Sequence, residues 1–350
     1  MSVRGLHRPL SYFAVAMAVT ALVSAVGLVA DDRVLVGEPI WLKPLKFALS
    51  LAVYGATLAW LHSLLVRGRR VSWWAGTIIT VGSSVEMALI VTQVVRGTRS
   101  HFNQQTPFDA GLYAVMGVIV AVLWLATLVI AVLLHRQPLP DRATAWAIRS
   151  GAAISVVGLA LGFLMSAPTP EQLADGASGI IGAHSVGVPD GGPQLPVTGW
   201  SAEGGDLRIG HFVGMHALQV LPLLALLLAR RASGAGRLAD GTVRLRVLVV
   251  AAAGYAGLVA LVTWQALRGQ PLAEPDGPTL GGAAGLALAW LTATLLALRS
   301  PRTVAPAQDP GRPPAAGVPS AVQGPEPAEG SAPSAGLHAV GTSPGRPGNS

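Results

Sequence analysis

The chain of 350 residues contains no cysteine. Disulfides, thiolate metal sites, lipid-modified cysteine anchors and cysteine nucleophiles are therefore excluded. Charge is also scarce: Asp, Glu, Lys and Arg make up 12% of the residues, about half of the roughly 25% usual for soluble domains. With hydrophobic residues at 51%, the chain cannot clothe a soluble domain of this size in polar groups, and a membrane setting follows. Lysine is rarer still, since 22 of the 24 basic residues are arginine and only Lys43 and Lys46 are lysine.

Long apolar runs take the place of charge. Residues 9–30, 47–66, 71–95, 110–135, 150–170, 209–229, 247–267 and 277–298 carry a single formal charge among them, Glu86. A helix needs ~20 apolar residues to cross the hydrocarbon layer. The expected fold is therefore all-α, a polytopic membrane bundle of eight transmembrane helices over 9–298 behind a short N-terminus, 1–8. The runs lack the alternation of barrel strands. Arg4 and Arg8 ahead of the first run also fit a signal peptide. That run exceeds the ~7–15 apolar residues of a signal sequence, so a retained helix is expected.

Alternate connecting segments differ in basic residues, 15 on the side of the N-terminus against seven on the other. The richer side is read as cytoplasmic, which puts both termini inside the plasma (inner) membrane of a bacterium. The basic balance thus belongs to loops, and no basic stripe points to nucleic acid. Residues 301–350 hold 11 Pro and 8 Gly. Segment 299–350 therefore reads as a disordered cytoplasmic tail.

Residues 88–97 align without gaps on 260–269, both running from Ala-Leu to Gln-x-x-Arg-Gly. Two sets of four helices would explain the match, and an even-numbered repeat keeps its orientation in the membrane. Chance similarity between Ala/Leu/Val-rich helices is the other reading.

Polar residues inside spans are costly and face a bundle interior or a wet cavity. Glu86 lies ten residues before Arg96, ~15 Å deep at 1.5 Å per residue. Gln93 shares its helix face. His216 and Gln219 reach similar depths counted from Arg208, so Glu86 and His216 are expected to pair across the bundle. A packed histidine bonded to a carbonyl is the competing role for His216. His211 and His216, five apart, cannot reach one ion from a regular helix, and no metal-binding histidine motif occurs. Lys43 and Lys46 sit together at the outer mouth of the second span, as titratable anion ligands or as lysines snorkelling to headgroups. With Arg96, His101 and Asn103, these residues make up the candidate pocket. Loop 168–207, rich in Gly and holding His184 and Asp190, reads as a lid over it or as a plain flexible loop.

Three segments, Lys43-Pro44-Leu45-Lys46-Phe47, residues 96–103 and residues 205–219, resemble those of uncharacterised multi-pass bacterial integral membrane proteins. The resemblance covers most of 10–300 and implies location and helix count, with no activity, cofactor or site residue to transfer. The residues themselves leave several readings open. One is a binding or transport protein for a small solute, an anion favoured by Lys43, Lys46, Arg96, Arg99 and Arg208, with Glu86 and His216 coupling a proton. Another is a redox protein holding haem or quinone, with His62, His135 and His216 as candidate axial ligands. A third is a structural or accessory subunit whose only certain partner is the lipid bilayer. An embedded enzyme is the least supported, because no nucleophile or metal constellation stands out. No motif fixes a cofactor or an oligomeric state.

Overall fold

The computed structural model describes residues 5–139, 141–176, 179–233 and 236–299. Of the segment expected to be a tail, all but Arg299 lies outside them. Ten α-helices carry the fold: α1 (Arg8–Ala30), α2 (Leu42–Ser63), α3 (Arg69–Arg96), α4 (Pro107–His135), α5 (Arg142–Leu161), α6 (Pro170–Ala174), α7 (Leu207–Met215), α8 (Ala217–Arg230), α9 (Gly241–Leu267) and α10 (Gly277–Arg299). Two antiparallel ladders of two-residue strands occur among the described residues, β1 (Val34–Leu35) with β2 (Glu38–Pro39) and β3 (Ser185–Val186) with β4 (Gly205–Asp206).

The helix boundaries follow from side-chain caps rather than from apolarity alone. Thr106, Asp141, Asp206 and Asp240 each accept a backbone N–H of the helix they precede, satisfying a donor that has no partner within the helix. Pro9 and Pro107 occupy first-turn positions, where a missing N–H costs nothing. Gly97, at φ 70°, closes α3 in the left-handed conformation.

Seven helices are long and apolar enough to cross a bilayer, and α7 with α8 makes an eighth when the two are taken as one span. The chain is thus an all-helical, multi-pass membrane bundle. The loops after α1, α3, α5 and α9 share one end, called here the long-loop end. α1 is packed into the bundle, where Phe13, Met17 and Ala21 meet Ala48 of α2 and Met87 of α3.

Two spans differ from the sequence expectation. The fifth was expected at 150–170, but α5 starts at Arg142, because Asp141 caps it there, and passes into a 3-10 turn at Gly162. The sixth, expected as one regular helix, bends by 41° at His216. Two carbonyls at the bend find side-chain donors: Tyr255 donates its hydroxyl to Val213 O (2.6 Å) and Ser155 to Met215 O (2.9 Å). This is how a broken helix is tolerated at membrane depth. Gly158 and Gly214 let α5 and α7 touch there, since a Cβ on Gly158 would lie 2.3 Å from the Gly214 carbonyl carbon.

The largest apolar cluster lies away from the long-loop end. Leu10, Leu58, Leu61, Ile79, Ile130 and Leu134, all nearly inaccessible, join Ile148 and Leu218 there. It closes the bundle beneath the polar region described next.

Candidate functional site

A pocket of about 110 Å³ opens among the first turns of α2 and α7, the last turns of α3 and the loops of the long-loop end. Its apolar wall includes Phe47, Ile90, Phe102 and Phe212. Lys43, Lys46, Arg99 and Arg208 bring positive charge to it.

Two of these cations are tied to carboxylates. Lys46 donates to Glu38 Oε2 and to Thr198 O, each at 2.9 Å. Arg208 donates from Nε to Asp206 Oδ1 (2.9 Å) and from Nη1 to Glu38 Oε1 (3.3 Å), and caps Gly199 O. These contacts fasten the β1–β2 strap and residues 198–199 over the helix mouths. The long loop therefore covers the pocket, and Gln194 adds a bond to Val36 O (2.9 Å).

Lys43 and Arg99 differ. Neither has a carboxylate within ion-pair distance among the described residues. The Lys43 ammonium instead meets His101 Nδ1 at 3.1 Å, and Ser100 Oγ lies 3.0 Å from the same nitrogen. An ammonium can only donate, so Nδ1 accepts and the ring proton sits on Nε2. That nitrogen stands 3.6 Å from Glu86 Oε1. Burial, reinforced by the Lys43 and His184 charges, pushes the His101 pKa well below its ordinary value, which favours this neutral ring.

Among the described residues, Glu86, only 4% exposed, has no hydrogen-bond donor on either carboxyl oxygen, and the hydroxyl of Ser83, one turn further in, has no partner. Buried polar groups are almost always satisfied, so water or a bound group is the expected partner of these two residues on one helix face. Lys43, His101 and Glu86 form a line running from the pocket into the bundle.

His184 is built differently. Its Nδ1 bonds Asp190 Oδ2 at 2.9 Å, while Asp190 also accepts the backbone N–H groups of His184 and Ser185. Burial opposes ionisation of Asp190, but His184 and these N–H groups outweigh it and hold the carboxyl below the usual carboxylate range. The His184 ring packs edge-on against Phe102 at 4.9 Å.

The expected pairing of Glu86 with His216 is not formed. Glu86 meets His101, while His216 bonds Ser50 Oγ (3.3 Å) through Nε2 and Gln219 Oε1 (3.4 Å) through Nδ1. Depth counted along a helix is indifferent to azimuth, and the bend at His216 turns its ring toward α2. His211 is fastened to Gly158 O at 2.8 Å. Among the described residues no ring contact joins His62, His135 and His216, and His62 packs on His7 instead.

Gln93, Arg96 and Asn103 shape the loop after α3 and do not meet Lys43. The Gln93 amide donates to Arg99 O (3.1 Å) and Asp109 Oδ1 (2.8 Å), and Arg96 pairs with Asp109. Asn103 donates to Thr98 Oγ1 (3.0 Å) and accepts from Gln105 N (3.1 Å). Sequence reasoning missed Glu38, Phe47 and Phe212. A signal existed: Leu42-Lys43-x-x-Lys46-Phe47 matches Leu207-Arg208-x-x-His211-Phe212, and both segments open a helix at the pocket. No family model, curated protein or solved structure matches the chain.

Proposed function

We propose that this chain is a bacterial plasma-membrane protein with cytoplasmic termini, whose outward-facing pocket binds or transports a small organic anion. One observation carries the reading: Lys43 and Arg99 bring charge to the pocket without carboxylate partners among the described residues, whereas Lys46 and Arg208 there are paired. A buried or half-buried cation is costly until an anion meets it. The aromatic wall suits a short apolar body attached to a carboxylate, and the size of the pocket favours a molecule of a few heavy atoms. The bent α7–α8 pair supports the same reading, because discontinuous helices at membrane depth accompany solute sites.

The bundle is further read as two four-helix repeats, α1–α4 and α5 with α7–α10. Gln265 repeats the role of Gln93, donating to Pro271 O (2.8 Å), six residues on as Arg99 is from Gln93. Arg268 pairs with Asp276, the residue before α10, as Arg96 pairs with Asp109 in the first turn of α4. Gly97 and Gly269 share a positive φ of 70° and 71°. Lys43 and Arg208 then occupy equivalent positions, and the pocket lies where the two halves meet.

The test is thermal unfolding of the purified protein in detergent, titrated with acetate, butyrate and phosphate. A ligand at 100 times its Kd stabilises by about 2.7 kcal/mol. Butyrate is expected to give a saturable shift that Lys43→Gln removes. No saturable shift with any of the three, or an equal shift in the variant, overturns the reading. A Soret band in the purified protein would transfer it to haem.

A further inference from the structure

We infer that Glu86 takes up one proton when an anion enters the pocket, by way of the Lys43–His101–Glu86 line, so that the solute travels or binds with a proton. This rests on the anion-pocket reading above. Its basis is the juxtaposition of one ammonium with two competing claims. Lys43 bonds His101 at 3.1 Å, and the far side of the same ring stands 3.6 Å from the Glu86 carboxyl. An anion in the pocket meets the ammonium from the opposite side.

The surroundings leave Glu86 few alternatives. From α2, Lys43 is the facing cation, since Lys46 is engaged with Glu38. From the loop after α3, His101 is, among the described residues, the one group within ion-pair reach of Glu86. From α4, Asp109 is held by Arg96, Gln93 and Thr106. The buried face of α1 presents Phe13, Met17 and Ala21 and no titratable group. From the long loop and α7, Asp190 and Arg208 are matched by His184 and Asp206. The charge balance at Glu86 therefore depends on Lys43. An anion that engages Lys43 from the pocket draws on the one cation that faces Glu86, and protonation of the buried carboxylate removes the conflict.

Hydrogen positions allow the transfer. The Lys43 ammonium gives a proton to His101 Nδ1 while His101 Nε2 gives its own to Glu86. Solvent in the pocket then reprotonates Lys43, and the ring regains its first tautomer by releasing the Nδ1 proton to solvent and taking one back at Nε2. The net change is one proton moved from solvent to Glu86. Ser83, the next unsatisfied polar group on that face, lies beyond Glu86 toward the apolar cluster, so the line ends at a closed floor.

Linkage makes this measurable. Uptake on binding means that affinity rises as pH falls, by up to about tenfold per pH unit. Butyrate binding to the full-length protein in detergent is measured calorimetrically at pH 6, 7 and 8, in two buffers of different ionisation enthalpy. The wild-type chain is expected to absorb up to one proton per anion, more at pH 8 than at pH 6, and E86Q none, with an affinity that hardly varies with pH. Binding without proton uptake in the wild type overturns the coupling but leaves the anion pocket standing. PH dependence that survives E86Q and disappears in H101Q or H184Q places the proton on a histidine and overturns the assignment to Glu86. Absence of binding by any probe anion removes the pocket reading, and the coupling with it.

Discussion

Adding a single methyl group at the crossing of α5 and α7 tests the packing that sustains the helix bend. In Gly158→Ala the new Cβ would sit 2.3 Å from both Gly214 C and Met215 N. These are backbone atoms, so no side-chain rotation relieves the clash and the helices must separate by about 1 Å to reach ordinary contact. Separation strains His211 Nδ1 on Gly158 O (2.8 Å) and Ser155 on Met215 O (2.9 Å). Overpacking costs about 1–3 kcal/mol, and each weakened bond costs a further ~0.5–1.5 kcal/mol. The helix preference of Ala over Gly returns about 1 kcal/mol. The net expectation is destabilisation by about 1–5 kcal/mol. Gly117→Ala on α4 is the control. Nothing lies within 4 Å of its added Cβ, so only the propensity gain remains and the sign reverses. Unfolding in mixed micelles, followed by far-UV circular dichroism against the mole fraction of denaturing detergent, separates the two. If Gly158→Ala matches the wild type, or exceeds Gly117→Ala in stability, the close contact and the account of the bend are wrong.

Three further outcomes are expected. Burial lowers the pKa of His7, His101 and His184 below the ordinary 6.5. The unfolded chain therefore binds protons there first, and stability without ligand falls as pH drops below that value. Thermal midpoints between pH 7.5 and 5.5 check this, with H101Q and H184Q each giving a shallower decline; equal slopes would refute it. Gln93→Ala and Gln265→Ala each remove a buried amide that holds the following loop and should cost similar amounts, about 1–3 kcal/mol; a large disparity would weaken the repeat. The chain lacks cysteine, so Val197→Cys in the long loop, at a position 84% exposed, provides a unique label, expected to react in intact cells with an impermeant maleimide. Reaction only after permeabilisation would invert the topology.

The sequence revealed depth and chemistry better than partnership. Glu86 could be placed inside the bundle because a helix rises by a constant amount per residue and one charge in an apolar run is conspicuous. Its partner could not, because His101 lies in a loop whose path depends on the Gln93–Asp109–Arg96 corner and on Asn103. His216 was placed at a suitable depth on a helix assumed straight. The bend that redirects it depends on Tyr255 and Ser155, which come from other helices. Helix ends show the same division. Asp141 and Thr106 are local capping signals and readable as such, whereas a hydropathy window passes over them and shifts α5 by several residues.

The two lysines show how a compositional exception becomes geometry. In a chain that otherwise uses arginine, both stand within one turn of α2, yet they end in different roles. Lys46 is paired with Glu38 and Thr198 O and fastens the cover; Lys43, three residues earlier, faces a neutral histidine. An arginine at the second position would carry a planar fork of five donors where the site offers one ring nitrogen. It would also resist giving up a proton, because a guanidinium stays charged throughout the physiological range. Lysine meets both demands of the line to Glu86, a compact point donor and a proton that can leave. Arg208, in the matching segment that opens α7, faces two carboxylates and a carbonyl, and there the fork fits. The two matching helix-opening segments thus place a clamp at the start of α7 and a compact donor at the start of α2, with the choice of base following the acceptors it meets.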